Sequence, residues 1–202
     1  MTTARDLMIT AMDAAPDGTV RQGDLSLALA GAELVDLLAA ETVTLDGDLI
    51  VPGIPIALDD PLLNEAVSML SREGPPESVE DWLWRRGRNL AATYAATLAS
   101  EGQLSRRRRR WAPFSTGRVV VSDSADHRHA KDRSADHEPV LTALAAAGAG
   151  IPGNDEGAQS APSEGPVATV LTAVEDAVTE LAAVRQRRTI EQDAFDNTWR
   201  AP

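Results

Sequence analysis

The chain has 202 residues and no cysteine, and its 31 acidic against 19 basic side chains give a net charge of −12. That length predicts one domain plus an appended segment, and the missing cysteines exclude disulfides, thiolate metal sites and thiol nucleophiles. No apolar run approaches the roughly 18 residues of a membrane span, and the N-terminus lacks the pattern of a signal peptide.

Residues 4 to 15 carry a helix-period stripe of Leu7, Met8, Ala11 and Met12, ended by the turn-forming PDG at 16 to 18. LSLALAGAELVDLLAAE (25–41) reads as the next helix, with Asp24 placed to cap it. VTLDGDLIVP then predicts two short strands turning at Asp46-Gly47, a favoured hairpin dipeptide. In LDDPLLNEAVSML, Asp60 takes the cap position of a helix and Pro61 its first residue. PPESVEDWLWRRGRNLAATYAATLASEG predicts one long helix, capped by Ser78 with Asp81 and closed by Gly102.

LSRRRRRWAPF and STGRVVVS follow as the arms of a β-hairpin whose turn holds Pro113 and Gly117. Ser122 to Glu138 has the composition of a loop, and VLTALAAAG (140–148) that of a short apolar helix. A Gly/Pro/Ser linker covers 151–166. Beyond it, Val167, Leu171, Val174, Val178 and Leu181 form the stripe of an amphipathic helix that needs a partner surface, with the last dozen residues frayed. The fold class is mainly α: a compact helical domain (1–150) with small β-hairpins, one of them basic and protruding, then the linker, then a C-terminal helix and tail (167–202).

Charge is unevenly distributed. Between Trp82 and Arg118 stand nine arginines and one acid, Glu101, a sum of +8 that leaves −20 for the rest of the chain. A concentrated basic strip on an acidic body points to an anionic partner at the strip. Arg85 and Arg88, three apart, would share one face of the long helix. In the hairpin, Arg106, Arg107, Arg108, Arg109 and Arg110 run into Trp111 and Phe114, rings suited to the headgroup level of a bilayer. The guanidinium fork can give phosphate two parallel hydrogen bonds, so the strip reads as a docking wedge for an anionic membrane. That wedge requires its cations to lie together on one outward ledge.

Each piece has a blander reading. An arginine run is commonly a solvated face, and Arg85 and Arg86 could pair with the many acids. Trp82, Trp84 and Tyr94 at helical spacing fit a core better than a headgroup contact. His127, His129, Asp136 and His137 match no metal-ligand spacing, so no metal is assigned. No HExxH, GxSxG, phosphate-cradling glycine loop or dinucleotide fingerprint occurs, so neither catalysis nor a cofactor is expected.

The order of LSLALAGAELVDLL, short hairpin, DDPLLNEAV (59–67), PPESVEDWL (75–83), basic helix and basic hairpin resembles the Golgi phosphoprotein 3 family over residues 4 to 121. The resemblance implies a helical protein peripheral on the cytosolic face of a membrane. It would bind phosphatidylinositol 4-phosphate in a basic pocket, insert a hairpin beside it and hold the cytosolic tails of membrane enzymes. In eukaryotic members the pocket uses a tryptophan after the first helix, an arginine in the second helix and two arginines three apart in the long basic helix. By position these fall at Arg21, Ala30, Arg88 and Ala91, and Arg88 alone keeps the family's residue. Arg21, Arg85 and Arg88 are therefore the candidate headgroup residues.

Two other classes stand beside this one. Short helices followed by a basic hairpin also order a winged-helix nucleic-acid binder, although a body of −20 would repel a duplex. An adaptor whose basic hairpin docks an acidic protein, or a second copy of the chain, is the third.

Overall fold

A computed structural model describes residues 1–15, 20–54, 56–70, 75–107, 118–151 and 160–200. The predicted PDG turn at 16–18 lies outside them. Helix α1 (Thr3–Ala14) begins at Thr2, whose hydroxyl accepts the Arg5 N–H. Asp36, reaching across from the second helix, accepts the N–H groups of Thr3 and Ala4 at 2.9 and 3.1 Å. The orphan donors of this helix start are thus satisfied partly from outside.

Helix α2 (Gln22–Ala39) is the centre of the molecule. It is buried on nearly every side, from Leu25 through Leu37, as a helix apolar all round must be. Its cap residue is Arg21, and Asp24 sits in its first turn instead of at the cap. Strands β1 (Val43–Asp46) and β2 (Leu49–Pro52) pair antiparallel around the predicted turn, where Gly47 adopts φ +64°. Strand β3 (Glu77–Ser78) adds to β2 and leads into the fourth helix.

Helix α3 (Pro61–Met69) starts as expected, with Asp60 accepting the Leu62 N–H at 2.8 Å and Pro61 in the first turn. The predicted long helix is instead two. α4 (Val79–Arg86) is capped by Ser78, which accepts the Asp81 N–H at 3.0 Å, and α5 (Leu90–Ser100) follows a turn at 87–89. Gly87 stands at the break, where a side chain has no room. A Cβ on Gly87 would meet the Leu83 carbonyl at 2.5 Å and the Ser26 carbonyl at 3.3 Å. Asn89, at φ 58°, takes the left-handed conformation that asparagine tolerates. The turn lets α4 and α5 each lie against α2. Gly102, at φ +74°, closes α5 as read from the sequence.

Strands β4 (Leu104–Arg107) and β5 (Arg118–Val121) form the second hairpin, with Arg107 opposite Arg118. The predicted loop at 122–138 contains a helix, α6 (Ala125–Ala135), capped by Ser124, whose hydroxyl accepts the His127 N–H at 3.0 Å. Only Ala130 of α6 is buried, so it has almost no apolar periodicity to betray it. α7 (Pro139–Ala149) and α8 (Pro166–Arg200) complete the chain, both against α2. α8 continues to Arg200 through the stretch read as frayed, because no Gly or Pro interrupts it.

Small residues set these approaches. A Cβ on Gly31 would lie 2.4 Å from Val174, and one on Gly148 would lie 2.3 Å from the Ala28 Cβ. The C-terminal helix buries Val170, Leu171, Val174 and Ala177 in the same core as α2.

Candidate functional site

The arginines of α4 divide by partner. Arg86 is buried and grips Glu33 of α2 with two hydrogen bonds, Nε to Oε2 at 2.8 Å and Nη2 to Oε1 at 3.0 Å. Its Nη1 reaches Glu65 at 3.0 Å and its Nη2 the Leu62 carbonyl at 3.2 Å. The Tyr94 hydroxyl donates to Glu33 at 3.0 Å, and the indole N–H of fully buried Trp82 donates to the Ala30 carbonyl at 3.1 Å. This network ties α3, α4 and α5 to α2. Burial pushes the Glu33 carboxyl up, opposed by Arg86, and pushes the Tyr94 hydroxyl well up.

Arg85 is also engaged. It forms a bidentate pair with Glu77 of β3, both contacts at 2.6 Å, and its guanidinium carbon lies 5.2 Å from the Trp82 ring centroid. Arg85 and Arg86 are therefore both engaged by carboxylates of the fold, whereas Arg88 stands in the turn after α4 has ended.

Arg88 differs from both. It is exposed and makes no ion pair among the described residues. Around it opens a cleft of about 250 Å³, lined by Gln22, Gly23, Trp84, Arg88, Asn89 and Leu181, among others. Gln22 and Gly23 are the first residues of α2, whose N-terminus receives no side-chain cap from Arg21. Helix dipole and free N–H donors favour an anion at such an end. Arg21, exposed at the cap position, lies 3.6 Å from Asp24. Arg185 of α8 pairs with the same Asp24. Among the described residues, Arg21 and Arg185 stand with Asp24 at the start of α2 and Arg88 lines the cleft beside it, three guanidinium groups to one carboxylate.

Of the other family positions, Ala30 and Ala91 are fully buried and contribute no charge. Trp84, placed in the core by sequence reasoning together with Trp82, is half-buried and lines the cleft. Helical spacing alone could not separate the two rings.

The hairpin stands apart. Arg106 and Arg107 belong to strand β4, while Arg108, Arg109, Arg110, Trp111 and Phe114 lie outside the described residues. α5 separates Arg88 from β4, a distance of about 16 Å along its axis at the usual rise per residue. Among the described residues the strip divides by role: Arg85 and Arg86 pair with carboxylates of the fold, Arg88 lines a cleft, and β4 begins at the other end of α5.

The histidine-rich segment is absorbed by packing. His127 contacts Asp13 at 2.5 Å, His129 lies 3.8 Å from Asp6, and Arg133 binds Asp6 at 2.6 Å, docking α6 on α1. Among the described residues no three His, Asp or Glu side chains gather as a metal site.

Burial also pushes the Asp6 and Asp36 carboxyls up, offset in part by Arg133 and by the Thr3 and Ala4 amides respectively. With Glu33, three carboxyls have folded values above their unfolded ones. On acidification the native state takes up these protons before the unfolded chain does, so stability increases as pH falls toward the ordinary carboxylate range. The urea midpoint is expected to rise between neutral pH and pH about 5. A midpoint that falls over that interval contradicts the assignment.

These features define a helical domain wrapped around one buried helix, with a cationic cleft at that helix's N-terminus and a basic hairpin beyond it. The chain belongs to the Golgi phosphoprotein 3 (GPP34) family, whose sequence profile matches residues 4–189 and so reaches from α1 into α8. A comparison with curated proteins gives no match. Among the described residues no helix is long and apolar enough to cross a membrane.

Proposed function

We propose that the protein is a peripheral membrane protein, not an enzyme, that binds the phosphorylated headgroup of an anionic lipid in the cleft at the start of α2. The observation that carries this reading is Arg88: an exposed cation without a carboxylate partner among the described residues, set beside Trp84 and an uncapped helix N-terminus in one cleft. Phosphate is the anion that uses all three features, through a two-pronged guanidinium contact, backbone N–H donors and a ring against the headgroup's carbon face. By family resemblance the headgroup is phosphatidylinositol 4-phosphate, and the bound protein holds the cytosolic tails of membrane enzymes. The basic hairpin supplies a second, less specific attraction to the same leaflet.

Vesicle co-sedimentation tests the site. Arg88→Gln is expected to weaken binding to phosphatidylcholine vesicles containing phosphatidylinositol 4-phosphate by at least about fivefold, the worth of one basic contact at an anionic leaflet. Its urea midpoint should match the parent's, because the exposed side chain supports no packing. Unchanged vesicle binding would remove the cleft from the proposal.

A further inference from the structure

The C-terminal helix contributes to the wall of the cleft. Leu181 of α8 lines it, and Arg185, one turn further along the same face, reaches the first turn of α2. Arg185 passes directly over Gly23: a Cβ there would stand 2.6 Å from Arg185 Nη2 and 3.0 Å from the end of Leu181. A glycine at this point therefore leaves room for a guanidinium over a cleft-lining residue. Arg185 Nη1 is committed to Asp24, whereas Nη2 has no hydrogen-bond partner among the described residues. Asp24 is itself buried at the α2 start and shared with Arg21, so it orients Arg185 without cancelling the charge of all three arginines.

Resting on the lipid-binding reading above, we infer that Arg185 is the second cation of the headgroup site. It is supplied by the C-terminal helix and held over Gly23 by Asp24, so that it faces the same bound phosphate as Arg88. The family positions at Ala30 and Ala91 carry no charge in this chain, and a guanidinium brought from a different element restores a cation pair at the cleft. The lipid site is then complete only when α8 is packed on α2. A lipid headgroup in the cleft would bridge the turn at 87–89 to α8.

The test compares full-length parent, Arg88→Gln, Arg185→Gln and Asp24→Asn on phosphatidylcholine vesicles with and without phosphatidylinositol 4-phosphate, with urea midpoints measured in parallel. Arg185→Gln is expected to weaken lipid-dependent binding about fivefold, as one lost basic contact should. Asp24→Asn keeps an amide oxygen that can accept the Nη1 hydrogen bond and hold Arg185 in place, while removing the negative charge that opposes phosphate, so it should bind as tightly as the parent or more tightly. A purely structural Arg185–Asp24 pair predicts the opposite for Asp24→Asn, which would weaken together with Arg185→Gln as both midpoints fall. That result overturns the inference, as does an Arg185→Gln protein that binds like the parent while Arg88→Gln is impaired. If the parent itself does not prefer the phosphoinositide vesicles, the underlying lipid reading fails and the inference goes with it.

Discussion

Arg86→Met should destabilise the protein by about 3–5 kcal/mol, because it leaves the Glu33 carboxylate buried without its cation. Glu33 is fully enclosed, and its remaining partner, the Tyr94 hydroxyl, is neutral. Methionine fills much of the arginine stem's volume, so the loss reports the stranded charge more than a cavity. Glu65, the second acid on Arg86, has a side chain 53% exposed and can turn to water. Combining Arg86→Met with Glu33→Leu should recover a large part of the loss, since apolar replacement of a whole buried pair is often neutral or favourable. Urea unfolding of the two variants checks both statements, and an Arg86→Met protein as stable as the parent contradicts the buried-pair account.

Trp82→Ala is the other severe change. The indole is fully enclosed and spans from α4 to the Ala30 carbonyl, so truncation opens a cavity at the contact that holds α4 to α2. Large-to-small core replacements of this kind cost about 3–5 kcal/mol. The neighbouring Trp84→Ala should cost less stability, because its ring is half solvated, and should instead weaken lipid binding by removing one wall of the cleft. Thermal or urea midpoints alongside vesicle co-sedimentation separate the two tryptophans. Equal loss of stability in both variants would contradict the placement of Trp84.

Local signals carried much of the fold. The caps at Asp60 and Ser78, the turn at Gly47 and the closing Gly102 are each written within four or five residues, and each is found where the chain predicts it. The apolar stripe from Val167 to Leu181 likewise marks a helix with one face to bury. What the sequence did not disclose depends on distance. Glu33 and Arg86 are 53 residues apart, and Asp24 and Arg185 are 161 apart. No periodicity reports such pairings: the sequence allows Arg85 and Arg86 to pair with its many acids but does not say that Arg86 takes Glu33 of α2 or Arg85 takes Glu77 of β3.

The break at 87–89 was hidden for a related reason. A side chain at Gly87 would collide with the Leu83 carbonyl of α4 and crowd the Ser26 carbonyl of α2, and one glycine in a helical pattern is ambiguous by itself. α6 was missed because ionic contacts to α1 replace the apolar stripe, although Ser124 was the available cap signal. Arg88 itself was legible, through the family's arginine at that position. Its partners in the cleft, Trp84 and the α2 N-terminus, required the fold.

The most direct measurement is equilibrium sedimentation of the full chain with neutral phosphatidylcholine vesicles and with matched vesicles carrying anionic lipid. The account predicts negligible binding to the first and binding to the second that rises with anionic content, falls with salt, and drops when Arg106 to Arg110 become serine. Equal binding to neutral and anionic vesicles, or none to either, would contradict it.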